Sequence, residues 1–306
     1  MFSETHKMLI TNFNLRITNP RLRVCNSFCL FALVFVTTNV FAQTHLENFT
    51  EIINRGSVEQ KRDALLQIRN LQNIEASKIA VPALKDSSEI VRATAAFSVI
   101  FLSKDQASAV LSPLLQDKSA LVRRETAYAL GAVGDSNVVN SLLQTFQKDK
   151  ILEVRNAALV ALGEIGDVSA VPELTSILQR KLSSKEEFTR RSAARSIGQV
   201  AQFIQTGETE ILTPENFLPE KFKRLETPKY ENLSAKFPVF QTAAASLIRV
   251  LQNPEEADDV KREAAFALGA IGDESAAAIL QTNTKAEDYY LAEICRESLL
   301  KINNLE

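Results

Sequence analysis

The sequence has no tryptophan, two histidines, three cysteines, nine glycines and nine prolines in 306 residues. Each scarcity excludes something. The histidines are His6 and His45, which is too few for a His-rich metal site and leaves no Ser–His or Cys–His pair for nucleophilic catalysis. The glycines recur in a fixed pattern and form no phosphate-cradling loop. Among the cysteines, Cys25 and Cys29 lie near the N-terminus and Cys295 near the C-terminus. If the N-terminal segment is removed, the chain cannot make an internal disulfide, and its stability must come from packing. What remains is rich in alanine and leucine. With 45% hydrophobic and 24% charged residues, the composition suits helices packed around a sizeable core.

The N-terminus reads as an export signal. Arg16, Arg21 and Arg23 precede an apolar run, Phe28 to Val36, and Val40-Phe41-Ala42 puts small residues before Gln43. A basic region, a short apolar core and a small-residue exit predict a secretory signal peptide over residues 1–42. The alternative is an uncleaved anchor, but a spanning helix needs roughly 20 apolar residues. Residues 1–42 hold four Lys/Arg against one acid, so 31 bases face 36 acids in the remainder, a net charge of −5. Such a balance argues against nucleic-acid binding, which depends on neutralising phosphates.

A repeat dominates the rest. EIVRATAAFSVIFL (Glu89–Leu102), ALVRRETAYALGAV (Ala120–Val133), LEVRNAALVALGEI (Leu152–Ile165) and DDVKREAAFALGAI (Asp258–Ile271) align, with weaker copies beginning at Glu59, Phe188 and Tyr290. The basic position falls at Lys61, Arg92, Arg123, Arg155, Arg190 and Lys261, in steps of 31, 31, 32, 35 and 71 residues. Taking the residue before it as zero, positions +4, +7, +8 and +11 are small or apolar, which is one face of a 3.6-residue helix. A first helix precedes each copy, with Pro82, Pro113 and Pro172 early in three of them, where a missing N–H is tolerated. Gly134-Asp135, Gly166-Asp167 and Gly272-Asp273 close one helix and cap the next. Gly131 and Gly163 are read as part of the same joints.

These features resemble HEAT repeats, in a short form similar to that of phycobilin lyases. The resemblance rests on the Leu-rich first helix, the Asp-x5-Arg spacing, Val-Arg and Ala-Leu-Gly-x-Ile-Gly, over roughly residues 74–196 and 239–302. It implies an all-α fold, a right-handed α-solenoid of about six to seven helix pairs whose second helices line the concave side. It also implies a ladder in which each basic residue meets an Asp of a neighbouring turn. Asp86/Arg92, Asp117/Arg123 and Asp149/Arg155 keep the six-residue spacing, Glu255/Lys261 is a variant, and Ser184/Arg190 departs from it. The scarcity of histidine excludes the His-Glu iron centres of HEAT-like hydroxylases.

Four parts are expected: the signal over residues 1–42, repeats over 43–202, an insertion rich in proline and aromatics over 203–238, and repeats with a cap over 239–306. The insertion carries Phe217, Phe222, Tyr230 and Phe237 among four prolines, and is expected to pack on its own solenoid. Positions +2 and +6 should face the concave side. Arg62, Phe97, Arg124, Tyr128, Arg191, Arg195, Arg262 and Phe266 are therefore the candidate binding residues, expected to gather positive charge for an acidic protein or peptide segment. The cluster Glu255, Glu256, Asp258 and Asp259 is read as a solvated acidic turn, and Cys295 as a buried, inert thiol. No catalytic residue, metal or cofactor is expected. The chain is read as an exported scaffold or adaptor, periplasmic in a Gram-negative host and secreted otherwise. The rival is a bilin-lyase-like chromophore-handling subunit, against which the export signal argues.

Overall fold

The computed structural model describes residues 46–183, 186–209, 213–219, 221 and 229–304. The expected signal over 1–42, and Ser184, Phe222 and Pro228, lie outside them. Two units are distinguished, Met1–Glu51 and Ile52–Glu306. Of the first, residues 46–51 are described and helical.

The second unit is an α-solenoid, with no strand among its described residues. After helical residues 52–55 (α1) and α2 (Val58–Leu71), six helix pairs follow: α3 (Ile74–Ala80) with α4 (Glu89–Ser98), α5 (Lys104–Leu111) with α6 (Ala120–Val133), α7 (Val139–Lys148) with α8 (Leu152–Ile165), α9 (Val171–Leu178) with α10 (Glu187–Thr206), α12 (Pro238–Gln252) with α13 (Asp258–Ile271), and α14 (Ala277–Asn283) with α15 (Tyr289–Asn303). The short α11 (Leu233–Lys236) precedes α12.

Local chemistry sets the ends of these helices. Gly134, Gly166 and Gly272 terminate α6, α8 and α13 at φ of 68°, 75° and 71°, a left-handed conformation that carries little cost without a Cβ. The following Asp135, Asp167 and Asp273 each accept the N–H two residues on, opening a 3-10 turn that leads into the next first helix. Pro172 sits in the first turn of α9. Pro82 and Pro113 do not open their helices. They follow α3 and α5 and begin 3-10 turns, Val81–Lys85 and Ser112–Gln116. A proline supplies no N–H to the carbonyl four residues back, so the α-helical ladder ends there and the chain tightens.

The core lies between the two layers. Ala64, Ala95, Thr126, Ala158, Ala193, Ala264 and Cys295 at +4 are all buried, as are Ile68, Val99, Leu130, Leu162, Ile197 and Leu268 at +8. Successive second helices approach closely because glycine stands at +9. A Cβ on Gly163 would lie 2.7 Å from the Cβ of Ser196, and one on Gly131 would lie 2.8 Å from the Cα of Ala161. Gly131 and Gly163 therefore serve helix contact rather than the joints. Serines at +7 fasten the contact. Ser98, Ser196 and Ser298 donate to the carbonyls of Leu65, Leu159 and Ala265 in the preceding second helix, at 2.9, 2.9 and 2.8 Å. Contacts between successive first helices are sparser, so the tightest packing of the stack runs through the second helices.

The insertion begins and ends later and earlier than expected. Gln199 to Gln202 stay buried, so α10 continues to Thr206 and closes at Gly207. Pro238 is already the first residue of α12. The interruption is thus 207–237, and α13 packs directly on α10 across it.

Candidate functional site

Two charge systems run along the second helices. The first is the ladder at +1. Lys61 pairs with Asp86 at 2.7 Å, Arg92 with Asp117 at 2.8 Å and Arg123 with Asp149 at 2.6 Å, each base meeting the carboxylate of the following repeat. The six-residue spacing has a different role. Arg92, Arg123 and Arg155 donate through Nη1 to the main-chain carbonyls of Asp86, Asp117 and Asp149 at 2.8, 2.8 and 2.9 Å. Each aspartate thus holds one base with its carboxylate and the next with its carbonyl. Burial pushes the carboxyls of Asp86, Asp117 and Asp149 up, but hydrogen bonds from the bases and from main-chain N–H groups, together with the nearby charges, hold them below the usual range.

At α10 the ladder spans the interruption. Arg190 is buried and its guanidinium grips the carboxylate of Glu256, 66 residues ahead. Glu256 is therefore a buried ion-pair partner, which corrects its reading as part of a solvated turn. Asp259 of the same turn pairs with Arg191 at 3.1 Å and with Arg262 at 2.7 Å. In the last pair the base shifts by one position. Lys261 reaches Asp258 at 3.7 Å, while Arg262 takes the carboxylate of Asp288.

The second system is the stripe at +2, +6 and +10, where the expected gathering of free positive charge is corrected. Arg124 bonds Glu125 at 2.6 Å, Arg191 bonds Asp259, Arg195 bonds Glu263 at 3.1 Å, and Arg262 joins the ladder. Phe266 is 2% exposed, and a Cβ on Gly198 would lie 2.2 Å from its ring. The missing side chain at 198 draws that ring into the helix interface, so Phe266 belongs to the core. Phe97 is half-buried beneath the Arg69 guanidinium, 4.8 Å from its ring centroid. Arg62 is exposed on α2, and Tyr128 is half-buried on α6.

Between the C-terminal ends of α6, α8 and α10 the stripe opens into a cleft of about 680 Å³, lined by Lys104, Gly134, Glu164, Arg195, Phe203 and Thr209 among others. Burial raises the carboxyls of Glu164 and Glu263, only partly offset by the Arg195 guanidinium near both. Glu164 was not singled out from the sequence. The signal was there, since it is the +10 residue one turn beyond Val160.

The two systems give opposite pH dependences. Glu164 and Glu263 hold protons more tightly folded than unfolded, so acidification from neutrality towards the usual glutamate value near ~4.3 stabilises the fold. The ladder aspartates hold protons less tightly when folded, so their stabilisation is lost below ~4. Melting temperature followed from pH 8 to 3 should pass through a maximum in mildly acid solution. The Glu164→Gln/Glu263→Gln double variant should flatten the limb above that maximum and leave the acid limb in place.

The comparisons agree with the architecture. A family model described as HEAT repeats matches residues 77–163 and 107–198, and one described as PBS lyase HEAT-like repeat matches 260–285. Among solved structures, an engineered protein is 16% identical with a TM-score of 0.50, covering 86% of this chain and 69% of its own. The complex of CpcE and CpcF of phycocyanin lyase from Nostoc sp. is 21% identical with a TM-score of 0.45, covering 84% and 87%. Human deoxyhypusine hydroxylase in complex with glycerol is 18% identical with a TM-score of 0.38, covering 87% and 98%. At these identities the likeness is one of fold. No curated protein matches the chain.

Proposed function

Because the chain is a HEAT-like repeat protein, we propose that it is a non-catalytic scaffold that takes a protein or peptide segment along the concave stripe of its second helices, and that it works after export. The observation that carries this reading is the cleft lined by Glu164, Arg195 and Phe203. It is open, bears both charge signs, and is built on rigid helices rather than loops. Its Arg195 is matched by Glu263, so the partner that fits is a segment of mixed charge, with an apolar or aromatic side chain for Phe203. Against catalysis stands the one thiol among the described residues. Cys295 lies in the core, and burial pushes its pKa up to about 12, which keeps it protonated and unreactive.

The test is affinity capture from the native host, followed by titration of the identified partner. Arg124→Ala/Tyr128→Ala removes two half-buried side chains of the stripe and should weaken binding by ~2 kcal/mol, about thirtyfold, with the melting temperature little changed. Equal affinity for the wild type and this variant would remove the concave stripe from the reading. Export is checked by fusing residues 1–42 to a secretion reporter.

One match favours a second reading, in which the chain handles a linear tetrapyrrole: the phycobilin-lyase type of repeat at 260–285. A visible absorption band that co-purifies with the protein would favour it over the scaffold.

A further inference from the structure

The insertion returns to the same stripe that is open over α6 and α8. Residues 229–232 belong to no helix and lie along the C-terminal turns of α10. Tyr230 is 1% exposed. Its hydroxyl donates to Oε1 of Gln202 at 3.1 Å, and the Lys301 ammonium stands 5.1 Å from its ring centroid. Gln205 brackets the main chain of the next residue, since its amide donates to the carbonyl of Glu231 at 2.7 Å and accepts its N–H at 3.1 Å. This pair of bonds reads extended backbone whatever the side chain, and the aromatic seat supplies the selectivity. A second anchor lies on α15. Glu297, at +6, accepts from the hydroxyl of Thr213 at 2.8 Å and from the N–H of Glu215, and Phe217 stacks on Tyr289 with centroids 5.2 Å apart. The open cleft ends at Phe203 and Thr209, where the insertion starts.

We propose that residues 229–237 are a tethered peptide ligand of the second-helix stripe, and that an extended partner segment with an aromatic anchor exchanges for them in the same seat. This rests on the scaffold reading and deepens it. A segment entering the open cleft runs along the stripe into the insertion, so displacing Tyr230 lengthens the surface available to it. The self-ligand keeps the aromatic seat filled until a competitor with the same chemistry arrives.

The probe is a fluorescein-labelled synthetic peptide with the sequence of Lys229–Phe237, followed by anisotropy against the full chain. Tyr230→Ala empties the seat in the protein and leaves the groove intact. This variant should bind the peptide at least tenfold more tightly than the wild type. Adding Gln205→Ala to it should reverse that gain, and a peptide with alanine in place of tyrosine should not bind. Equal affinity for both proteins, binding that survives Gln205→Ala, or no binding by a folded Tyr230→Ala protein overturns the proposal. Should Tyr230→Ala fail to fold, hydrogen exchange on the wild type decides. The Glu231 amide should exchange at least a hundredfold faster than those of Ala265 to Leu268 inside α13, because the segment detaches alone, whereas exchange at the same rate makes it an inseparable part of the core. Failure here leaves the Arg124/Tyr128 titration free to support the scaffold by itself.

Discussion

Glu256→Ala is expected to lower the free energy of unfolding by ~3–5 kcal/mol, the usual cost of stripping one partner from a buried ion pair. Arg190 and Glu256 are 3% and 5% exposed. The guanidinium also donates through Nη1 to the carbonyls of Ile177, Leu178 and Arg180 at 3.2, 3.1 and 3.3 Å, so it cannot swing out to water when its carboxylate is lost. The charge stays where it is, desolvated and without its counter-ion. Urea denaturation measures the effect, and Glu255→Ala is the control. Glu255 is exposed one residue away and should move the midpoint by no more than an ordinary surface change, ~0.5 kcal/mol. If both variants behave alike, the pair contributes only what a surface salt bridge does. Replacing both members with methionine should recover much of the loss, since a buried pair is often no better than apolar side chains of similar size.

Gly163→Leu is expected to cost ~3 kcal/mol. The first added carbon would already lie 2.6 Å from Oγ and 2.7 Å from Cβ of Ser196, and Cβ is fixed to the backbone of α10. The helices must therefore separate, and the bond from Ser196 to the Leu159 carbonyl across the joint goes with the contact. Because each repeat touches only its neighbours, the damage should stay local to α8 and α10. Hydrogen exchange should show it as lost protection in those two helices before any in α4 or α6. Unchanged stability would mean that the stack slides apart at little cost.

The repeats were legible because each carries several agreeing signals: the 3.6-residue period, the Gly-Asp joint and the basic position. The ladder's partners were half legible. The six-residue spacing is a true regularity, but it marks the carbonyl contact, and the carboxylate goes 25 or 26 residues the other way, as from Asp117 to Arg92 and from Asp149 to Arg123. Spacing along a chain does not say which oxygen of an aspartate is used. Arg190 could not be matched to Glu256 by period, because the insertion destroys the period between them. The stripe at +2 and +6 was legible as positions, but its electrostatics were not. Arg191 and Arg195 looked like free charge until Asp259 and Glu263 were brought opposite them by α13 packing on α10. Phe266 was misplaced because a glycine at 198 in another helix decides where its ring goes.

The interruption also imposes a timetable. Ladder partners elsewhere are 25 or 26 residues apart, whereas α10 meets its neighbour 66 to 68 residues on. The extra loop-closure entropy is small, about 0.8 kcal/mol, yet the delay during synthesis is not. At ~5–20 residues per second, the ribosome needs roughly 3–13 s to deliver Glu256 after Arg190. The N-terminal pairs can close on local contacts as they emerge, while the far face of α10 waits with a buried-type arginine and a row of small residues uncovered. That face is the nascent chain's most vulnerable edge, and the insertion sets how long it stays so.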